Sequence, residues 1–438
     1  MPALGGASAV SCHDAPAGGA IFATVQTVDR PAEAREPAYR RFGVWFPFVV
    51  YAVSRLWVLV AATILAKSQM ALPVWATHIT ITYPMPADPG YWAAMTNWDG
   101  QWYRIIAEHG YPQDLPRDYF DDTVKMNPWA FFPVFPLVAG AIMKVTGLPF
   151  IYVGPALSLV VGFFAMHLLF KLVDQAVGRF EAIVVVVATS FYIASPVFSA
   201  SYTESMALLV IVAILLLLRA RQYLWVVPLL LVLSLTRNVV IAMVPVIIAH
   251  AVVRWRKADE GEHPVRLRVG LGAMAAYAGL LTFLWPTIAS VATGVDGAYE
   301  KTMLAWRVQT KLKLYMWWNL LYNYYGIWGQ VLGVLGAAAF TWFMLSRHSW
   351  RWGPEIWGWA GAYPAYLLLV TSTTPSRLRY ALLAFPFALI IAWFIQLGPW
   401  RRWRWWIVLG IALVGAGQMW WWTDHYFMIS NLTDDLYP

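Results

Sequence analysis

Long apolar runs constrain this chain more than any single motif. Stretches near residues 43–66, 150–172, 268–290 and 326–345 carry few or no charges, and about 20 such residues are what an α-helix needs to cross the hydrocarbon core of a bilayer. Backbone polar groups in that medium must be satisfied inside the segment, so the runs read as helices. Transmembrane strands would alternate apolar and polar residues, and these do not. Composition agrees: the 438 residues are 60% hydrophobic and only 12% charged, against roughly 25% charged in soluble domains. The expected class is an all-α polytopic membrane protein.

Further apolar segments near 129–147, 180–197, 204–220, 222–236, 238–253, 355–372, 379–397 and 404–422 bring the expected number of spans to roughly 11–12. The chain has 31 Lys and Arg against 23 Asp and Glu, a net charge of +8, and the excess lies in short loops such as Arg40-Arg41, Arg254–Lys257 and Arg401-Arg402-Trp403-Arg404. Positive loops stay cytoplasmic. That places 218–222, 253–268, 346–352 and 398–404 inside, and 68–128, 198–204, 293–325 and 371–378 outside. Parity then requires one segment between 129 and 197 to stop short of spanning, and 129–147, interrupted by Pro133 and Pro136, is the expected one. Most of the 27 Trp and 22 Tyr read as interfacial anchors.

Residues 1–38, rich in Ala, Gly, Pro and Ser, read as a disordered cytoplasmic tail, 39–426 as the transmembrane domain and 427–438 as an external tail. The single cysteine, Cys12, allows no intrachain disulfide and no Cys-based metal site. No soluble basic face for nucleic acid, Gly-rich phosphate loop or Gly-x-Ser-x-Gly motif is present. His109 and His425 have no His or Cys at ligand spacing, so no metal is assigned, although a divalent cation stays open.

The first outer loop holds the segment of most chemical interest, Asn97-Trp98-Asp99-Gly100-Gln101-Trp102-Tyr103-Arg104-Ile105-Ile106-Ala107-Glu108-His109-Gly110. Apolar residues at 98, 102, 105 and 106 form one helical stripe, with Asp99, Arg104 and Glu108 facing elsewhere. The expectation is an amphipathic helix on the membrane surface, capped by Asn97 and ended at Gly110. Asp99 in its first turn could serve the helix dipole alone or carry chemistry. Asp114, Asp118, Asp121 and Asp122 add acids nearby, and each also reads as an ordinary solvated residue.

Several motifs in order resemble one enzyme family. Trp98-Asp99, Ile106–Tyr111, Phe131-Phe132-Pro133-Val134-Phe135-Pro136, Tyr202-Thr203-Glu204-Ser205, Leu235-Thr236-Arg237, Ser376–Tyr380 and Phe385-Pro386 look like the pattern of PIG-V membrane mannosyltransferases, a family with the GT-C fold. The resemblance covers residues 43–397. It implies an inverting transfer of mannose from a polyprenyl-phosphate donor to a lipid-linked glycan on the outer membrane face, with Asp99 as the general base. The Ala-, Val- and Arg-rich composition looks bacterial, so the family's eukaryotic acceptor does not carry over. A phosphatidylinositol mannoside or another lipid-linked glycan is the expected acceptor, and arabinose remains open as the sugar.

An inverting transfer needs a base for the attacking hydroxyl, and the departing phosphate needs cations. Arginine suits phosphate because its planar fork stays charged. Arg237, Arg377 and Arg379 are the phosphate candidates, with Arg55 and Arg307 behind them. Arg55 and Arg237 interrupt apolar runs, where charge is costly. Arg237 could instead pair with Glu204, itself a candidate for acceptor binding beside Tyr202, Trp98, Glu108 and His109. The second outer segment mixes Asp296, Glu300, Lys301, Lys311 and Lys313 with Trp306, Tyr315, Trp317 and Trp318, suited to a sugar and an anionic headgroup. A lipid or glycolipid transporter is the non-enzymatic alternative, disfavoured because the polar residues gather at a rim rather than at a midplane between repeats.

Overall fold

Every apolar run identified in the sequence contains a helix, but few of those helices are long. The computed structural model describes residues 37–72, 83–256, 264–306, 313–370 and 376–430; Cys12, Arg307 and Lys311 lie outside them. In chain order the helices are α1 (Pro37–Leu65), α2 (Gly90–Ala94), α3 (Asp99–His109), α4 (Val134–Thr146), α5 (Phe150–Ala176), α6 (Arg179–Ser190), α7 (Glu204–Arg219), α8 (Tyr223–Ser234) and α9 (Met243–Arg256). There follow α10 (Pro264–Leu280), α11 (Leu284–Thr293), α12 (Ala298–Ala305), α13 (Lys313–Leu345), α14 (Arg347–Trp350), α15 (Gly353–Val370), α16 (Arg377–Tyr380), α17 (Phe387–Ile395) and α18 (Arg404–Trp422). Extended pairing among the described residues is limited to two isolated bridges, Leu72 with Met85 and Arg117 with Val124.

Four helical stretches are individually long and apolar enough to cross a membrane: Phe42–Ser68, Phe150–Ala176, Val265–Thr293 and Leu314–Leu345. A fifth arises if α16 and α17, bent by 70°, count as one broken span. The expected number of 11–12 is therefore not reached by single helices. The runs are broken: 180–197 breaks after Ser190 into a 3-10 turn at Ser195–Ser199, and Pro386 caps α17 after the bend. The 13 residues of α4 give about 20 Å of helix, well short of a bilayer core.

Packing sorts the helix termini into two groups. One gathers the end of α1, the start of α3, the start of α7, the segment after α8, α16 and the end of α18, through Gln69, Asn97, Asp99, Glu204, Arg237, Arg379 and Phe427. The other gathers the opposite termini: the start of α1 and α6 (Phe42, Arg179), the end of α5 and α7 (Gln175, Arg219), the start of α8 and end of α9 (Tyr223, His250), and the start of α15 and α18 (Glu355, Arg404). Between them lies a core including Val185, Leu208, Ile211, Met243, Val246, Ile356 and Trp359. Where α1, α5 and α7 meet, Gly162 leaves no room for a side chain: a Cβ there would collide with the Tyr51 hydroxyl of α1 and lie 3.1 Å from Ser205 Oγ of α7.

The α3 helix is amphipathic as expected, but protein covers its apolar face. Trp102, Tyr103 and Ile106 pack with Phe131, Phe135, Phe150 and Met206 from α4, α5, α7 and the turn before α4, so packing alone accounts for the stripe. Trp306 closes over Trp102 and Phe131, and Asn127 bonds Thr302 at 3.0 Å. The segments that follow α3 and α11 are thereby joined. Residues Phe427–Ile429, expected to begin a tail, are buried, and Ile429 accepts a backbone bond from Met70.

Candidate functional site

Asp99 is the first residue of α3, and the chain reaches it through an unusual turn. Trp98 takes φ 57° and ψ −116° at the helix cap, a region that bulky residues rarely occupy. Asn97, expected to cap the helix, instead donates its amide to Gln69 Oε1 at 2.8 Å and to the Phe427 carbonyl at 3.3 Å. The Trp98 indole N–H also donates to the Phe427 carbonyl, at 2.9 Å. A backbone corner after α18 thus fixes the residue before Asp99.

The Asp99 side chain is 26% exposed and accepts from Arg379 Nη1 through Oδ2 at 2.5 Å. Arg379 also sets its Nε 3.2 Å from Glu204 Oε1, off the direction of a hydrogen bond. The same Glu204 oxygen accepts from Arg237 Nη1 at 2.7 Å, and Arg237 reaches Thr203 Oγ1 at 3.2 Å. Glu204 is 1% exposed and opens α7, where the helix dipole favours an anion. Its Oε2 is buried with no hydrogen-bond partner among the described residues. Two carboxylates and two guanidiniums therefore alternate in one balanced chain, with the Tyr202 and Tyr380 rings under the arginines at 4.8 and 4.7 Å.

Tyr202 and Tyr103 remain neutral. Burial, with the Asp99 charge adding to it, pushes the Tyr202 and Tyr103 hydroxyls well above their ordinary pKa. Tyr202 donates to the Asn97 carbonyl at 3.5 Å, a long contact.

Of the residues singled out from sequence, Asp99, Glu204, Tyr202, Arg237 and Arg379 come together, with Trp98 behind them. Arg377 does not join the chain. It sits two residues before Arg379, about 200° round a helix, with its guanidinium 5.8 Å from the Trp317 ring and Nη1 buried without a hydrogen-bond partner among the described residues. Arg55 is occupied structurally: it donates to Ser54 Oγ, to the Ser190 and Ser195 carbonyls, and to the Ser195 and Ser199 hydroxyls. These contacts close the break between α6 and the following turn, and they use its full set of five donors.

Glu108 and His109 face a different surface. Glu108 accepts from Arg104 at 2.9 Å and from Tyr83 at 2.7 Å, and burial beside Glu108 pushes the Tyr83 hydroxyl up to about 12. His109 is 70% exposed. Of the other loop acids, Asp118 pairs with Lys125 and Asp122 with Arg117. Sequence reasoning missed Gln69, the Phe427 carbonyl and Tyr103. No local signal marks a backbone carbonyl hundreds of residues away, although Tyr103, four residues after Asp99, lies on the same helix face.

The described residues define an all-helical protein with several helices long and apolar enough to cross a membrane. The chain matches no protein-family model and no curated protein.

Proposed function

We propose that the chain is a GT-C-type glycosyltransferase that moves mannose from a polyprenyl-phosphate donor to a lipid-linked glycan acceptor at the outer membrane face, with Asp99 as general base. One observation carries this reading: Asp99 is a partly exposed carboxylate on a constrained helix start, oriented by an arginine that is itself anchored on a buried glutamate. Arg379 holds Asp99 Oδ2 and so directs the carboxylate. Its hold on Oδ2 leaves lone-pair capacity on the carboxylate for an acceptor hydroxyl. In the reaction the hydroxyl oxygen bonds to the anomeric carbon as the carbon–oxygen bond to the lipid phosphate breaks; Asp99 takes the hydroxyl proton and the phosphate departs with the electron pair.

Charge balance sharpens the phosphate assignment. Arg237 and Arg379 are already matched by Glu204 and Asp99, so they supply no net positive charge for a departing phosphate. Arg377, with its unpartnered Nη1 beside Trp317, is the better first contact for that phosphate, and Arg379 takes the second place because it can exchange Asp99 for a phosphate oxygen.

The test is transfer by the purified full chain in vesicles supplied with polyprenyl-phosphate mannose and a phosphatidylinositol mannoside acceptor. The expected result is a mannosylated lipid of inverted anomeric configuration and one polyprenyl phosphate per turn. Inert protein across polyprenyl-phosphate mannose and arabinose donors would overturn the proposal.

A further inference from the structure

At the other group of helix termini lies a feature that glycosyl transfer leaves unused. The turn Gly398–Trp403 and the start of α18 form an open concavity of about 610 Å³ lined by Gly398, Pro399, Arg401, Arg402, Arg404 and Trp405. Arg401 and Arg402 are exposed. Arg404 lies 5.6 Å from the Phe180 ring and 5.1 Å from the Trp405 ring, which directs its guanidinium without neutralising it. Glu181, the acid beside Phe180, is engaged by Gln396 at 2.5 Å. Around the concavity Trp400, Trp403, Trp405 and Trp406 are 49–67% exposed.

We infer that this corner is a binding site for the headgroup of an anionic phospholipid, with the arginines on the phosphates and the indoles at the level of the acyl boundary. The chemistry is direct: guanidinium forks bind phosphate oxygens in pairs, arginine is the cation least penalised by partial desolvation, and exposed tryptophans seat at the membrane interface. Three cations in one concavity favour an anionic headgroup over a zwitterionic one, whose choline charge offsets its phosphate. The corner sits at the terminus of α18 opposite the one that leads to Phe427 and Trp98, so the lipid would bind remote from Asp99.

Native mass spectrometry of the detergent-purified full chain, titrated with phosphatidylglycerol or phosphatidylcholine, tests the site. The wild type is expected to prefer phosphatidylglycerol by at least about tenfold, and Arg401→Gln/Arg402→Gln to lose that preference to within about twofold. Arg404 is left in place because its packing on Phe180 belongs to the fold. The exposed pair Arg347 and Arg351, changed to Gln, should leave the preference intact. Equal binding of both lipids by the wild type, a preference that survives in Arg401→Gln/Arg402→Gln, or an equal loss in the control pair would overturn the proposal. Displacement of the lipid by matched inorganic phosphate would overturn it too, marking a free-phosphate site instead.

Discussion

Arg55 and Arg379 are both buried arginines that the sequence offers for phosphate, Arg379 ahead of Arg55; their partners separate them. Arg55 spends its donors on carbonyl and hydroxyl oxygens of the 190–199 break, whereas Arg379 spans Asp99 and Glu204. Arg55→Gln should therefore lower the unfolding midpoint, since each buried carbonyl left unpaired costs about 1–3 kcal/mol, and leave the donor KM unchanged. Arg379→Ala should destabilise by about 3–5 kcal/mol, because it strips cations from two acids at once, and should also abolish transfer. Denaturant midpoints in detergent beside transfer kinetics distinguish the two. Trp98→Phe removes the indole N–H to Phe427 and part of the packed ring, a loss of about 1–3 kcal/mol; a fall in kcat with unchanged donor KM would mark Trp98 as a positioning residue. Buried acids and arginines were legible because charge is rare in so apolar a chain. Their pairing was not, because it joins positions 99, 204, 237 and 379.

The helices themselves were largely legible, since apolar length and continuity are written locally. Their breaks were less so. Gly326 interrupts α13 with φ 60°, and the 3-10 turn after Ser190 is closed by Arg55 on another helix, a tertiary cause that no window of sequence contains. The group of α7, α8, α9 and α15 termini has its own polar lock: His250 Nδ1 lies 2.6 Å from Glu355 Oε1, Tyr223 bonds His250 Nε2 at 3.1 Å, and Arg219 stands 3.9 Å from Glu355 Oε2. Glu355→Ala should lower stability by about 1–3 kcal/mol, the cost of leaving buried His250 without its hydrogen-bond partner, while transfer per folded molecule stays at the wild-type rate; parallel midpoints and rates check this. On the α3 side, a Cβ at Gly140 would meet the Ala107 carbonyl at 2.9 Å. Gly140→Val should cost about 1–3 kcal/mol through overpacking and shift α3, read as a reduced transfer rate.

Across the whole molecule, the sequence pattern of positive loops and the packing of helix termini agree on a two-ended arrangement. Arg219, Arg254 and Arg404 fall in one group of termini and Asp99 in the other. The sidedness expected from the basic loops puts Tyr119 outside and Arg351 inside. With Cys12 replaced by Ser, a Tyr119→Cys chain in intact cells should react with an impermeant maleimide, and an Arg351→Cys chain only after permeabilisation; the reverse would invert the topology. The motif resemblance, read from short segments kept in order, singles out Asp99 as the proposed base. The geometry adds a reason for the role: a carboxylate fixed by its own backbone turn and by one arginine. The most direct measurement is therefore the mannose transfer rate of Asp99→Asn, a nearly isosteric change that keeps a partner for Arg379 but cannot take a proton. The account predicts a fall in kcat of about 10²–10⁴-fold with the protein still folded and the donor KM little altered, and transfer at the wild-type rate would contradict it.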